Sequence, residues 1–116
     1  MIFQQHHLEK IREGVKTQTR RQKPKSELRY KEGNVYRATE GGEKMFQTIE
    51  ECEDFVRVVE ISEEQLGEIT ESDADAEGGY TLDEFVSIWE DINGDWDPTE
   101  TVSVIKFNYL SSHPSN

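Results

Sequence analysis

Apolar residues recur along the chain at two different periods, and each period predicts an element. In HHLEKIREG, Leu8 and Ile11 share one face of a short helix that Gly14 closes with a left-handed cap. KTQTRR (16–21) is rich in β-branched and long side chains, and GNVYRAT (33–39) follows a glycine turn, so both read as short strands, joined by a polar loop over 22–32 that contains Pro24. MFQTIEE (45–51) and DFVRVVEIS (54–62) add two more strands, the second apolar enough to be largely buried. Ser62 with Gln65, and Thr81 with Glu84, have the form of capping boxes, which starts a helix at each. The second helix carries Leu82, Phe85, Ile88, Trp89 and Ile92 on one stripe, read as core rather than as a ligand site, and Asn93-Gly94 ends it. In TVSVIKFNYL (101–110), Ile105, Phe107 and Tyr109 alternate on one face of a strand that closes the sheet, and SSHPSN reads as a frayed tail. Short strands interrupted by three helices imply an α+β fold: a small, strongly bent sheet or barrel of five to six strands, in one domain over 1–110 with a flexible tail over 111–116.

Length agrees with that reading, since 116 residues can bury roughly two-thirds of their unfolded surface around one core. No run approaches the about 20 apolar residues that a membrane-spanning helix needs. The opening MIFQQHHLEK lacks the basic start, apolar middle and cleavage site of a secretory signal, so the expected location is the cytoplasm, and a monomer is the expected state. Cys52 has no partner for an internal disulfide, and no cation neighbours it in the sequence to activate it, so it reads as a buried thiol.

Charge changes the picture. The net formal charge is −12, yet residues 1–37 carry +6 and residues 38–116 carry −18. So dense an acidic surface repels nucleic acid and anionic membranes and suits a salt-rich cytoplasm, where repulsion is screened; a halophilic source fits, as does an ordinary acidic soluble protein. Against that background Lys16, Arg20, Arg21, Lys23 and Lys25 are concentrated in one stretch, with Thr17 and Thr19 among them. Arginine forks and lysine ammoniums neutralise phosphates, and threonine hydroxyls donate to phosphates or base edges. Pairing of the same cations with the protein's own acids is an equal reading.

Two other patterns carry less. Asp91, Asn93, Asp95 and Asp97 alternate like the first ligands of an EF-hand loop, but Trp96 and Val102 stand where that loop needs its glycine and its bidentate glutamate, so DINGDWDPTE reads as a helix stop and polar turn. His6 and His7 are adjacent, point about 100° apart on a helix and cannot chelate one metal, so they read as a surface pair. No metal or cofactor is expected.

HLEKIREGVKTQTRR, YKEGNVYRA, AEGGYTLDEFVSIW and ETVSVIKFNYL, in that order, resemble the ASCH domain, a small β-barrel relative of the PUA RNA-binding fold. Gly14, Lys16, Thr17, Thr19 and Arg20 form the most specific match, and Glu77-Gly78 supports it. The resemblance implies RNA or nucleotide binding in a cleft lined by the basic run, with Lys16, Thr17, Thr19, Arg20, Arg21, Lys23 and Lys25 as contacts. For a bacterial branch that hydrolyses acetylated cytidine with a lysine, a threonine and a glutamate, it implies Lys16, Thr19 and Glu77 as catalytic residues; another relative is reported to cut RNA. A longer basic loop over 22–32 and a denser acidic surface separate this chain from that branch. Lys16 and Thr19 would face opposite sides of a regular strand, so the chemistry requires Lys16 to sit in the bend after Gly14.

Overall fold

The computed structural model describes residues 1–23, 28–41 and 47–114. Helix α1 (Gln5–Arg12) leads to β1 (Gln18–Gln22) and β2 (Val35–Arg37), then to β3 (Phe55–Gln65), a 3-10 turn over Leu66–Glu68, α2 (Glu71–Gly78), α3 (Leu82–Asn93) and β4 (Thr101–Leu110). The strands form one antiparallel sheet in the order β1-β4-β3-β2, and an isolated bridge between Ile2 and Thr39 lies beside it. The result is a curled half-barrel, a small α+β fold. Part of the curl comes from β3, whose pairing with β4 shifts register between Val58 and Glu60, a bulge that bends a strand and increases its twist.

β4 is central and covered on both sides over its first half, where Val102, Ser103, Val104 and Ile105 are all buried. Val102 and Val104 pack with Leu66, Ile69, Ala74, Phe85 and Trp89, which seats α2 and α3 on one face. Phe107 packs with Phe3, Leu8, Ile11, Ala38 and Val56, which seats α1 on the other. The Leu8 and Ile11 spacing therefore made the helix expected of it, and Gly14 follows it at φ 78°.

Three expectations are corrected. No helix starts at Ser62, because β3 continues through Gln65 and its residues from Glu60 onward pair with β4, down to Gln65 opposite Thr101. The helix that follows begins at Glu71 instead, where Thr70 accepts from Asp73 N and Asp73 returns a bond to the Thr70 backbone. No strand spans 47–51: Thr48 Oγ1 accepts from Glu51 N at 3.2 Å, and Glu51 N and Cys52 N reach Thr48 O at 3.1 and 3.0 Å, making one closed turn. Residues 45 and 46 of that proposed strand lie outside the described residues. Finally, His7 is not a surface residue; it is half-buried, since it shares the α1 face of Leu8 and Ile11.

Thr81 and Glu84 do form their capping box, and Gly94 ends α3 at φ 98°. In the polar turn after it, Asp97 Oδ1 accepts from Thr99 N and Oγ1 at 2.9 and 2.7 Å. Cys52 is buried, and its thiol donates to Asp54 O at 3.2 Å.

Candidate functional site

The site is assembled around β1, which is the edge strand next to β4. Gly14 turns the chain, the backbone N–H groups of Val15 and Lys16 return to Lys10 O at 2.9 and 3.1 Å, and β1 starts only at Gln18. Lys16 thus lies in the bend after Gly14, ahead of β1. Its side chain is buried, with the residue 3% exposed, and its ammonium donates to the backbone carbonyl of Glu77 at 2.8 Å. The Glu77 carboxylate is farther, at 3.8 Å from Oε1.

Glu77 lies on the last turn of α2 and is also 3% exposed. Its carboxylate accepts from Gln18 Nε2 at 3.0 Å, Arg20 N at 3.1 Å and the Arg20 guanidinium at 3.4 Å. Burial nevertheless raises its pKa, and the opposing pull of Lys16, Gln18 and Arg20 does not cancel the desolvation. Burial likewise lowers Lys16 to about 8, partly offset by Glu77 and reinforced by Arg21 and Lys10. Both shifts favour the neutral forms, as expected when the ammonium's short contact is to an uncharged carbonyl.

Residues 18 and 20 of β1 face α2, whereas 19 and 21 point to the other side, where Arg21 meets Ile2 and Phe3. Arg20 is therefore drawn inward, its guanidinium set between Glu64, Asp73 at 3.5 Å and Glu77, and it is buried rather than presented at a surface. Thr19 is buried on the opposite face, and no hydrogen bond among the described residues occupies its hydroxyl. Arg21 is half-buried, donates to Ile2 O at 2.8 Å and lies 5.1 Å above the Phe3 ring.

Lys16, Thr19, Arg20, Arg21 and Glu77 all line one cavity of about 290 Å³ that wraps the free edge of β1. Phe3, Phe85, Ile88 and Trp89 supply its apolar walls, so part of the α3 stripe faces a pocket as well as the core. The sequence reading missed His7 and Tyr80, which also line it. The Tyr80 hydroxyl meets His7 Nε2 at 3.0 Å, and Lys10 holds the assembly with its ammonium 4.0 Å from the Tyr80 ring centre and 2.8 Å from Gly78 O. Gly78 must be glycine here, since a Cβ would stand 2.6 Å from that ring. Burial first, then Lys16, His6 and Lys10, lower His7 to about 3, so it is neutral at ordinary pH. One signal for His7 was available: it precedes Ile11 by four residues, on the buried face. None pointed to Tyr80, 73 residues away.

The remaining basic-run residues lie elsewhere. Thr17 is exposed and lines a different depression with Asp73 and Lys106, and Lys23 pairs with Glu63 at 3.1 Å in solvent. Lys25 lies outside the described residues. No described helix is long and apolar enough to cross a membrane, and no described cluster of His, Cys, Asp and Glu could hold a metal.

No family model matches the chain, and no curated protein does. Solved structures do. The chain is similar to an ASCH domain from Lactobacillus crispatus JV V101, at 14% identity and a TM-score of 0.61, over 89% of this chain and 69% of that one. It is also similar to a protein from Enterococcus faecalis V583 described by the family label DUF984, at 19% identity and a TM-score of 0.63, over 94% of this chain and 74% of that one. At such identities the likeness is one of fold, and the fold is that of the ASCH domain.

Proposed function

We propose that the β1-edge pocket takes a nucleoside or nucleotide unit, whether free or within RNA. The observation that carries this reading is the composition of one cavity: aromatic walls from Phe3, Phe85 and Trp89, an unoccupied Thr19 hydroxyl, and Arg21 at the side without a carboxylate partner among the described residues. A flat base fits between apolar walls, and a guanidinium suits the phosphate or carbonyl oxygens attached to it. Arg20 belongs to the scaffold of this reading, because it holds Glu77 in place, and Lys23 and Lys25 belong to the approach. The strongly acidic remainder of the chain excludes polyanions elsewhere and leaves this end as their point of entry.

A second reading, hydrolysis of acetylated cytidine, is favoured by the lowered pKa of Lys16 in the same cavity as Thr19 and Glu77. Neutral Lys16 would take the Thr19 proton, and the Thr19 oxygen would attack the acetyl carbonyl. The C–N bond then breaks as the protonated Glu77 carboxyl gives its proton to the leaving nitrogen. Water cleaves the acetyl-threonine ester to acetate, and the proton held by Lys16 returns to Glu77.

One experiment tests both readings. Cytidine and acetylcytidine are titrated into the protein while tryptophan fluorescence and cytidine release are followed. A saturable change that is lost in Trp89→Phe supports binding, and the absence of any saturable change removes it. Release that falls by orders of magnitude in Lys16→Ala and Thr19→Ala supports hydrolysis. Wild-type release no faster than that of Lys16→Ala leaves the binding reading alone.

A further inference from the structure

The arginines of this acidic protein divide into two groups by what they touch. Arg12 is paired with Asp54, and Arg20 with Glu64, Asp73 and Glu77. Arg21, Arg29, Arg37 and Arg57, in contrast, have no carboxylate partner among the described residues, although acids outnumber bases in the chain by 25 to 13. Among the described residues Arg21, Arg37 and Arg57 donate to backbone carbonyls alone, of Ile2, Gln47 and Gly33. Arg21, Arg29 and Arg37 converge on one cleft of about 350 Å³, with no acid among the described residues that line it.

Two tyrosines complete the cleft. Tyr30 and Tyr36 meet edge to face, with ring centres 5.0 Å apart at 87°. Tyr36 is fixed by its hydroxyl, which accepts from Lys31 N at 2.7 Å and from Asn34 Nδ2 at 3.4 Å. The positive potential is felt by the Met1 amine, which burial and then Arg21, Arg37 and Arg29 lower to about 6. Arg21 and Ile2 line this cleft and the β1-edge pocket alike, so the two are neighbours.

We propose that this outer cleft is a second subsite, in which Arg21, Arg29 and Arg37 bind a phosphodiester and Tyr30 stacks the neighbouring base of a single-stranded RNA. The proposal rests on the nucleotide reading of the inner pocket and extends it: the ligand is a polymer rather than a free nucleoside. Three guanidiniums without an acid partner among the described residues, beside two aromatic rings, are what a phosphate backbone with unstacked bases requires. The carboxylate-paired cations of the inner pocket would orient a base but leave a phosphate uncompensated.

Cytidine and the dinucleoside monophosphate of two cytidines serve as probes, by calorimetry at low and moderate salt. The wild type should bind the dinucleotide roughly tenfold or more tighter than cytidine, in line with one stacked base and its phosphate contacts. Arg29→Ala and Tyr30→Leu should each remove most of that advantage and leave cytidine affinity unchanged. Arg29→Ala should also flatten the dependence of log affinity on log salt by somewhat under one unit. A dinucleotide that binds no tighter than cytidine, or an advantage untouched by both variants, overturns the outer subsite while the inner reading stands. An advantage lost in Arg29→Ala but kept in Tyr30→Leu, and matched by cytidine monophosphate, overturns base stacking and with it the polymer. If cytidine does not bind at all, the inner reading falls and a ten-residue oligocytidylate decides: a loss of more than tenfold in Arg29→Ala supports the outer cleft, and a smaller loss overturns it.

Discussion

Asp54 and Glu77 are both buried carboxylates that hold an arginine, and they respond in opposite directions. Burial pushes Asp54 upward, but the hydrogen bonds from Arg12 and Tyr109 outweigh it and its pKa falls. Burial pushes Glu77 upward and nothing outweighs it. The difference lies in the partners. Arg12 meets Asp54 with both fork nitrogens, at 2.9 and 2.5 Å, Tyr109 adds a bond at 2.8 Å, and the Arg12 side chain remains 47% exposed. Around Glu77 every cation is itself buried, and its charged contacts are longer, at 3.4 and 3.8 Å. A solvent-open bidentate pair keeps its charges cheaply, whereas a dry cluster of charges is held at a cost, which is typical of sites and of strained scaffolds.

Breaking the dry cluster should have the largest effect. Glu77→Ala leaves Lys16 and Arg20 without their shared carboxylate and should cost about 3–5 kcal/mol, measured by urea unfolding. A loss under about 1 kcal/mol would mean that solvent reaches the cluster. Asp54→Asn should cost less, about 2 kcal/mol, because Arg12 can turn to water. The sign with pH is set by a lowered pKa: Asp54 stabilises the fold above its unfolded pKa, and this contribution is lost as pH falls through the folded value. Asp54→Asn should therefore flatten the acid limb of the stability curve, and an unchanged limb would mean that other carboxylates govern it.

Lys16 gives a smaller and opposite signature. Its folded pKa of about 8 lies below the ordinary lysine value of 10.5, so between these values the unfolded chain binds more protons and stability rises with pH. The slope should be under about 1.4 kcal/mol per pH unit, the limit for one proton, and Lys16→Met should abolish it. A slope that survives the substitution would assign it to another group. The smallest effect concerns the −18 on residues 38–116: melting midpoints should rise by a few degrees between low and molar potassium chloride, as screening relieves repulsion. A flat or falling midpoint would mean that pairs such as Lys106 with Glu60, 3.2 Å apart, already compensate the acid, and would remove the case for a halophilic origin.

Elements with strong periodicity were legible in the sequence: α1, α3 and β4 appear where the apolar spacing put them, and α3 carries the cap that Thr81 and Glu84 signalled. Local signals failed where tertiary pairing competed with them. Ser62 and Gln65 match a capping box, but their backbone groups are already committed to β4. Thr48 and Glu51 form the same kind of box in a stretch read as a strand. In the site, the basic run was visible, but its division was not. Alternation along β1 sends Arg20 to the acids of α2 and β3 and sends Arg21 to Phe3, a distinction that depends on which face α2 covers. Arg29 and Arg37 stood apart from the run in sequence, so nothing in the one-dimensional pattern joined them to Arg21.

Cys52 sits two residues before Asp54, bonded to its carbonyl and buried beneath the segment that the Arg12 pair fastens. As the lone thiol among 116 residues, it gives the protein a built-in clock. A maleimide can reach it only when that corner swings open, so the labelling rate under native conditions counts openings of the corner rather than global unfolding. Asp54→Asn should quicken the clock, while substitutions at the opposite end of the sheet that leave global stability intact should not. Turnover of a single sulfur thereby reads how independently the two ends of a small half-barrel breathe.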